Sequence, residues 1–275
     1  MELNFTEKQT KNVSFTCKIK RTLHTEKSSF QEIAVLETIE FGKMLVLDGT
    51  VQTTIEDEFV YHEMITHVPL YTHAEPKRIL VIGGGDGGTI KEILKHPTVE
   101  SVELVEIDER VVQVSKKYLP EISYALNDPR VKINIRDGIE HIKNINTKYD
   151  IIIIDSTDPI GPAEGLFTYD FYSNINKKLT DTGILIAQTE SPFFNKELIK
   201  NVFKNISSIF PIAKLYLANI PTYPSGLWSF TIGSKKYDPT VVNISAKYDI
   251  NSKYYTKKIH NSCFVLPEFV KELLI

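Results

Sequence analysis

The stretch Arg78–Asp108 constrains the fold of this chain more than any other. It opens with a short apolar run rich in β-branched residues, which stops at GGGDGG (Gly83–Gly88). An amphipathic run follows, and then a second apolar run that carries Glu106 and Asp108 at its far end. Strand, glycine turn, helix, strand and acid, in this order, are typical of the nucleotide-binding half of a doubly wound α/β sheet. The stretch therefore predicts a Rossmann-like domain.

The acid inside the glycine loop indicates which ligand the loop takes. Gly83, Gly85 and Gly88 satisfy G-x-G-x-x-G, which is weak evidence when it stands alone. A dinucleotide would place its pyrophosphate at this loop, and a fixed carboxylate on Asp86 would repel it. The loop is better suited to a nucleoside without phosphates, including one that carries positive charge. The alternative is that Asp86 only caps the following helix, since Asp is a good N-cap residue.

Composition excludes several classes of protein. The 275 residues can bury the core of one large or two unequal domains, and the net charge of −3 gives no general case for nucleic acid or an anionic membrane surface. Cys17 and Cys263 are far apart and belong to no metal-type cluster, so we expect reduced thiols in the cytoplasm. No signal core opens the sequence, and no apolar run is long enough to span a membrane.

Residues 1–55 predict a small N-terminal antiparallel β domain. Apolar and polar residues alternate over Val13–Ile19, as in a half-buried strand. Two further strand candidates are Phe30–Ile39 and Lys43–Leu47, and Asp48-Gly49 marks a turn. Residues 56–275 are then the Rossmann-like catalytic domain. It begins with a linking segment, 56–76, that we expect to be a helix with one apolar face.

The remainder alternates strand and helix. The run Asp150–Ile154 is almost entirely apolar, which predicts a strand buried on both faces, as in a parallel sheet. The other predicted elements are strands at Val131–Ile135, Ile184–Gln188, Ala213–Ala218 and Trp228–Gly233, and helices at Val111–Tyr118, Ile139–Ile145, Tyr169–Leu179, Glu197–Phe210 and Pro267–Leu274.

Four successive predicted strands end in acidic residues. The acids are Asp86, Glu106, Asp108, Asp137, Asp155 and Asp158. Ligands of an open parallel sheet bind at the carboxyl ends of its strands, so these side chains should meet at one rim. Either a divalent metal or a cationic organic substrate, an amine or a sulfonium, would compensate their charge. Alternatively, some of the acids only cap helices.

At this point the chain resembles a known family, the polyamine aminopropyltransferases and in particular the spermidine synthases. The resemblance covers nearly the whole chain. It is carried by GGGDGG, VELVEID, the Asp137-Gly138 pair, DSTDPIGPAEGLF (Asp155–Phe167), IPTYPSG (Ile220–Gly226), LDGTVQ (Leu47–Gln52), DEFVYHEM (Asp57–Met64) and CFVLPEF (Cys263–Phe269).

The resemblance implies a β domain followed by a class I methyltransferase-like Rossmann domain. It implies transfer of an aminopropyl group from decarboxylated S-adenosylmethionine to putrescine, which gives spermidine and 5′-methylthioadenosine. The donor is a co-substrate, and neither a cofactor nor a metal is implied. The expected assembly is a homodimer or homotetramer, with no nucleic-acid or membrane partner.

The resemblance also assigns roles to single residues. Asp155 is the catalytic proton acceptor. The implied donor-binding residues are Gln31, Gln52, Asp86, Glu106, Asp137, Gly138 and Pro162: Glu106 for the ribose hydroxyls, Asp137-Gly138 for adenine and Asp86 for the aminopropyl ammonium. The implied putrescine-binding residues are Tyr61, His62, Asp86, Asp155, Asp158 and Tyr223, and Trp228 would tune the width of their channel.

Rival functions stay open from the sequence. The nearest is an S-adenosylmethionine-dependent amine N-methyltransferase, although Asp86 disfavours the carboxylate of an intact donor. Agmatine, cadaverine or spermidine could replace putrescine as acceptor. A catalytically silent polyamine-binding protein would have no need of the donor residues, and an NAD-dependent dehydrogenase conflicts with Asp86.

Overall fold

The computed structural model describes residues 2–157, 161–242 and 250–275, and for residues 161 and 162 it describes the backbone alone. These residues build a five-stranded and a seven-stranded sheet, with a long helix between them in the chain. The small antiparallel sheet and the doubly wound sheet agree with the predicted fold class.

The five-stranded sheet is antiparallel, and its strands follow chain order. They are β1 (Leu3–Lys8), β2 (Ser14–Lys27), β3 (Glu32–Thr38), β4 (Lys43–Leu47) and β5 (Thr50–Thr54). The predicted bounds of β4 are confirmed, whereas β1 and β5 were not predicted. Asp48 and Gly49 adopt φ of 48° and 80°, the positive values that a two-residue hairpin turn of this kind requires.

The two faces of this sheet bury different apolar sets because side chains alternate along a strand. On one face Ile33, Val35 and Leu45 pack against Val111 and Val114 of the larger sheet's layer. On the other face a second cluster gathers Leu36, Met44, Val46 and Val51 with Phe5, Phe15, Cys17, Ile19 and Ala34. The first contact fixes the small sheet above the Rossmann-like layer.

Helix α1 spans Glu58–Thr72, inside the predicted linking segment. The prediction of a single apolar face was wrong, because nearly every residue of α1 is buried. The C-terminal part of the chain covers the polar side: the Glu63 carboxylate accepts hydrogen bonds of 2.7–2.8 Å from the backbone N–H groups of residues 253–255. Polar residues on α1 therefore belong to buried networks rather than to a solvated face.

The seven-stranded sheet has the spatial order β11-β12-β10-β9-β6-β7-β8. Its strands are β6 (Arg78–Gly83), β7 (Ser101–Glu106), β8 (Val131–Ile135), β9 (Tyr149–Asp155), β10 (Leu179–Gln188), β11 (Ile212–Asn219) and β12 (Leu227–Ser234). Strands β6 to β10 pair in parallel, and β12 runs antiparallel to both of its neighbours. The chain order reverses at β6, between β7 and β9, and such a switch point opens a ligand crevice.

Helices cover both faces of this sheet. They are α2 (Gly88–Ile93), α3 (Glu109–Tyr118), α4 (Pro120–Ser123), α5 (Gly138–Asn144), α6 (Tyr169–Lys178), α7 (Lys196–Ile209), α8 (Lys257–Cys263) and α9 (Glu268–Lys271), with 3₁₀ turns at Tyr124–Asn127, Gly161–Phe167 and Glu272–Leu274. Helix α8 was not predicted, and the predicted C-terminal helix divides into α9 and a 3₁₀ turn. Within the described ranges, no helix combines the length and apolar character that crossing a membrane requires.

Strand β9 shows why the centre of the sheet is parallel and buried. Ile151 and Ile153 face one apolar cluster, and Ile152 and Ile154 face another on the opposite side of the sheet. All four are at most 1% exposed, as expected for a strand covered on both faces. Asp155, which ends β9, is paired in register with Gly83, which ends β6. Burial of the isoleucines thus places the Asp155 carboxylate at the switch point of the sheet.

Candidate active site

A pocket lies at the carboxyl ends of β6, β7 and β9, under the β4–β5 hairpin of the small sheet. Ten residues expected from the sequence line it together: Gln31, Gln52, Tyr61, His62, Asp86, Glu106, Asp137, Gly138, Asp155 and Tyr223. Asp158 lies outside the described residues, and so does the side chain of Pro162. The predicted strand ends that carry Asp86, Glu106, Asp137 and Asp155 therefore lie together around one pocket.

The glycines of the loop make room for side chains of the site. A Cβ on Gly84 would lie 2.5 Å from the Asp155 carboxylate, and one on Gly85 would lie 2.9 Å from the Glu106 carboxylate. Gly83 and Gly84 also hold φ of 82° and 71°, which L side chains rarely adopt. The loop thus brings two carboxylates against its own backbone.

Asp155 is held by two hydroxyl groups. Its carboxylate accepts a hydrogen bond of 2.7 Å from Tyr61 and one of 2.6 Å from Thr89. Burial and the neighbouring charge of Asp86 raise the pKa of Asp155, and His62 and the two hydroxyls only partly oppose that rise. Asp155 is therefore disposed to accept a proton.

Asp86 sits in the opposite electrostatic environment. Its carboxylate accepts a hydrogen bond of 2.7 Å from the Gly88 N–H and lies 3.5 Å from His62 Nε2. Burial raises the pKa of Asp86, but His62, the Gly88 N–H and Lys91 outweigh burial and leave this pKa below its ordinary value. Asp86 is buried and Asp155 is half-buried, and Asp86 is the acid that stays charged.

The cation beside these acids is His62, from α1. Its Nδ1 lies 2.7 Å from a Glu58 oxygen, while Nε2 faces Asp86. Burial lowers the pKa of His62, but Asp86 and Glu58 together raise it to about 10. Sequence reasoning placed His62 in the acceptor channel and did not find its ionic partners. Arg110, which lies close to these acids in the sequence, pairs instead with Glu26.

Glu106 ends β7 with its carboxylate in the pocket. One oxygen accepts a hydrogen bond of 2.9 Å from the Asp108 N–H. Burial raises the pKa of Glu106 to about 7, against backbone hydrogen bonds that lower it. A ligand that donates hydroxyl groups to this carboxylate would favour its ionised form.

Asp108 and Asp137 both cap helices, as the alternative reading of the acids allowed. Asp108 accepts from the Arg110 N–H and also from the side chains of Ser28 and Gln31, at 2.6 and 3.0 Å. Asp108 thereby ties the small sheet to the Rossmann-like domain and orients Gln31. Asp137 caps α5 through the Ile139 N–H, at 2.7 Å, and also lines the pocket.

Aromatic rings close the side of the pocket next to Asp155. The rings of Tyr61 and Tyr223 lie 5.5 Å apart, and Trp228 packs edge-on against Tyr223 at 4.8 Å. The Tyr223 hydroxyl donates to the Gln52 carbonyl at 2.6 Å, which joins this wall to β5. The indole N–H of Trp228 is buried and has no hydrogen-bond partner among the described residues.

Three polar residues at the site lay outside the sequence prediction. Thr89 bonds Asp155, Gln188 lines the pocket and donates to the Ser156 carbonyl at 3.1 Å, and Glu58 holds His62. Glu58 and Thr89 lie in or beside recognised motifs, which was the available signal. In the part of the chain that the structure describes, no group of three or more His, Cys, Asp or Glu side chains is arranged to hold a metal ion.

Comparisons with known proteins agree with this geometry. Residues 58–245 match the family model described as the spermine/spermidine synthase domain, and residues 3–55 match the spermidine synthase tetramerisation domain. The chain belongs to the spermine/spermidine synthase family. The resemblance predicted from the motifs is therefore confirmed.

Relatives in this family match over the full length. The chain is 58% identical over 274 residues to the polyamine aminopropyltransferase of Shouchella clausii, covering 100% of both chains. It is 58% identical to that of Bacillus subtilis, covering 99% of both.

Two solved members of the family share the fold. One is a crystal structure of spermidine synthase in complex with the transition state analogue AdoDATO, at 41% identity and a TM-score of 0.94, with 99% of this chain and 94% of that chain covered. The other is the spermidine synthase of Thermotoga maritima, at 40% identity and a TM-score of 0.91, with the same coverage.

Proposed function

We propose that this chain acts as a spermidine synthase, which transfers the aminopropyl group of decarboxylated S-adenosylmethionine to putrescine and releases 5′-methylthioadenosine. One observation carries the proposal: Asp86 and Asp155 line one pocket, and their pKa values are displaced in opposite directions. Such a pair separates a permanent anion from a proton acceptor. The names of the relatives and the AdoDATO complex of the solved neighbour support the same reaction.

The donor would occupy the part of the pocket between the two sheets. Glu106 would accept hydrogen bonds from the ribose hydroxyls, and Asp137 with Gly138 would receive the adenine. Gln31, Gln52 and Pro162 would line the remaining wall. Asp86 would bind the aminopropyl ammonium, which agrees with its depressed pKa and with its hydrogen bond from the Gly88 N–H.

The acceptor would lie along the aromatic wall. Tyr61 and Tyr223 would shape the channel, His62 and Asp86 would flank it, Asp158 would bind the remote ammonium, and Asp155 would face the attacking amine. The lone pair of the neutral primary amine attacks the carbon next to the sulfonium, and the carbon–sulfur bond breaks with its electron pair staying on sulfur. The proton that the alkylated nitrogen releases goes to Asp155. The leaving group is a neutral thioether, so this displacement needs neither a metal nor a covalent intermediate.

The pKa difference between an amine and an aspartate determines at which stage Asp155 can accept a proton. An amine of the lysine type titrates near pH ~10.4 and an aspartate near ~3.9, a gap of roughly 6 units or about 9 kcal/mol. The raised pKa of Asp155 narrows that gap. As the carbon–nitrogen bond forms, the nitrogen becomes far more acidic, so Asp155 orients the amine and takes its proton late.

We also propose that the protein is a homodimer or homotetramer that assembles through the five-stranded sheet. The match of residues 3–55 to the tetramerisation domain supports this assembly. Cys17 and Cys263 are both unpaired, which is compatible with the cytoplasmic location that we infer.

A donor and acceptor screen tests the proposed function. The purified protein is given decarboxylated or intact S-adenosylmethionine with putrescine, cadaverine, agmatine or spermidine, and methylthioadenosine and S-adenosylhomocysteine are both quantified. We expect methylthioadenosine with the decarboxylated donor and putrescine above the other acceptors. S-adenosylhomocysteine from the intact donor would identify an N-methyltransferase instead, and no product from either donor would indicate a binding protein.

A further inference from the structure

A row of buried ionisable side chains leads away from the pocket between α1 and α2. Asp86 lies 3.5 Å from His62 Nε2, and Glu58 lies 2.7 Å from His62 Nδ1. The other Glu58 oxygen lies 2.5 Å from Lys91 Nζ. The side chains of His62, Glu58 and Lys91 are 3%, 7% and 10% exposed, so solvent screens these contacts only weakly.

We propose that Glu58 is a positioning residue for aminopropyl transfer: it holds His62 doubly protonated against Asp86, which fixes the charge of Asp86 and leaves Asp155 to take up the proton. The inference rests on the proposed function, in which Asp155 accepts the proton of the attacking amine. Glu58 does not line the pocket, and it contacts the ring nitrogen of His62 opposite to the one that faces Asp86.

The hydrogen-bonding capacity of imidazole supports this assignment. A neutral imidazole has one N–H donor and one lone pair, whereas an imidazolium has two donors. Both nitrogens of His62 face carboxylates, so a neutral ring would turn a lone pair toward either Glu58 or Asp86. Only the doubly protonated ring suits both neighbours.

The last glycine of GGGDGG fits the same arrangement. A Cβ on Gly88 would lie 2.2 Å from His62 Cε1, so a side chain at position 88 would displace the imidazole. Gly88 also donates its N–H to Asp86. The motif thus provides both the space for the His62 ring and a hydrogen bond for its carboxylate partner.

The ionisable groups around His62 act in opposite directions. Asp86 from the glycine loop and Glu58 from α1 raise its pKa, while burial lowers it. Tyr61 meets the ring edge-on at 5.4 Å, Lys91 from α2 neutralises Glu58, and Asp155 is itself influenced by His62. A positive charge beside Asp86 is what makes the two acids of the pocket unequal.

Nuclear magnetic resonance of the histidine ring tests the inference without requiring turnover. The His62 signal is assigned by its loss in His62→Gln, and we expect the wild-type ring to show the nitrogen chemical shifts of an imidazolium at every pH from 6 to 9. Glu58→Gln should bring the titration midpoint into this window. Glu92→Gln is the matched control, because Glu92 is also buried on this row but holds Lys91, Lys95 and His67.

The pH dependence of kcat provides a second measurement. A variant that is merely less stable would lose activity without a change in this pH dependence. In Glu58→Gln, His62 stays charged at low pH and loses its charge as pH rises through the new midpoint, so kcat relative to the wild type should fall about tenfold across that midpoint. In Glu92→Gln the pH profile should match that of the wild type, and thermal unfolding of both variants reports their stability.

Three results would overturn the inference. They are a wild-type His62 ring that is neutral at any pH from 6 to 9, a Glu58→Gln variant with an unchanged His62 titration, and a Glu92→Gln variant that shifts the titration equally. Should Glu58→Gln fail to fold, Glu58→Asp, whose shorter side chain withdraws the carboxylate from His62, takes its place in both measurements. A wild type that releases no methylthioadenosine would instead reject the proposed function, and the ring titration would still report on the His62 contacts.

Discussion

Gly84 and Asp155 approach so closely that a side chain at position 84 would collide with the carboxylate. A Cβ on Gly84 would lie 2.5 Å from Asp155 Oδ2, and Gly84 holds a φ of 71°. This glycine therefore admits a side chain from the neighbouring strand β9, in addition to any ligand that approaches the loop.

Gly84→Ala should lower kcat at least about 100-fold, because a displacement of the reacting group by about 1 Å has an effect of this size. The steady-state rate of methylthioadenosine release measures the effect. Gly42→Ala is the matched control: its φ of 68° imposes a similar backbone cost, but its nearest neighbour is Ile55 Cβ at 3.2 Å. Equal turnover in the two variants would contradict the role given to the Gly84–Asp155 contact.

Asp155→Asn should lower kcat by about 10²- to 10⁴-fold, the usual contribution of a general base, because the amide cannot take up the proton. Calorimetry should find methylthioadenosine affinity nearly unchanged. Asp86→Asn provides the contrast: it should weaken the aminopropyl donor more than methylthioadenosine, which lacks the ammonium. Loss of nucleoside binding in Asp155→Asn would show that this carboxylate supports the pocket structurally.

Strong local patterns explain what the sequence predicted well. The four isoleucines of β9 make both faces of the strand apolar, which indicates a central parallel strand. The residue that follows them must then lie at the carboxyl edge of the sheet. The same reasoning placed Asp86 and Glu106 beside Asp155, and all three line the pocket. Strand β8 has its predicted bounds, Val131–Ile135.

Contacts that depend on packing between distant elements were not predictable. The Glu58–Lys91 pair forms because α1 packs against α2, and no periodicity in either helix encodes that crossing. The prediction of a single apolar face on α1 was wrong because the segment that covers its other side, Lys253 to Tyr255, lies some 190 residues away in the sequence. Strand β1 was missed because its Leu-Asn-Phe-Thr-Glu-Lys sequence carries few apolar residues and is held by backbone pairing to β2.

Tyr61→Phe should move the acidic limb of kcat to higher pH. The Tyr61 hydroxyl donates to Asp155 at 2.7 Å, and a hydrogen bond to the charged form lowers the pKa of an acid. Its loss should reduce turnover at neutral pH about tenfold, as expected for a hydrogen bond to a charged group. In the control Tyr223→Phe, the lost hydroxyl contacted the Gln52 carbonyl, so the limb should not move. Coincident limbs in the two variants would contradict this prediction.

Glu106 should make nucleoside binding depend on pH near neutrality. Its pKa is raised by burial to about 7, and the ribose hydroxyls would donate to the ionised carboxylate. Methylthioadenosine carries no amine that titrates here, so its association constant should rise roughly tenfold between pH 6 and 8 as Glu106 loses its proton. Glu106→Gln should bind more weakly and without this dependence, and a pH-independent wild type would contradict the assignment.

Glu106 should also make the stability of the ligand-free protein depend on pH. This contribution to stability should fall as pH rises, whereas nucleoside binding should strengthen. An unfolded glutamate releases its proton near its ordinary value of 4.5, whereas folded Glu106 retains it until about pH 7. Between pH 4.5 and about 7 the folded state binds one proton that the unfolded state has released. The contribution of Glu106 to the free energy of unfolding therefore falls as pH rises through this range, and it is constant above about pH 7. Denaturant unfolding at pH 5, 6, 7 and 8 measures the slope. Relative to the wild type, Glu106→Gln should gain stability as pH rises from 5 to 7, and saturating methylthioadenosine should flatten the wild-type slope, because the ligand favours the ionised form.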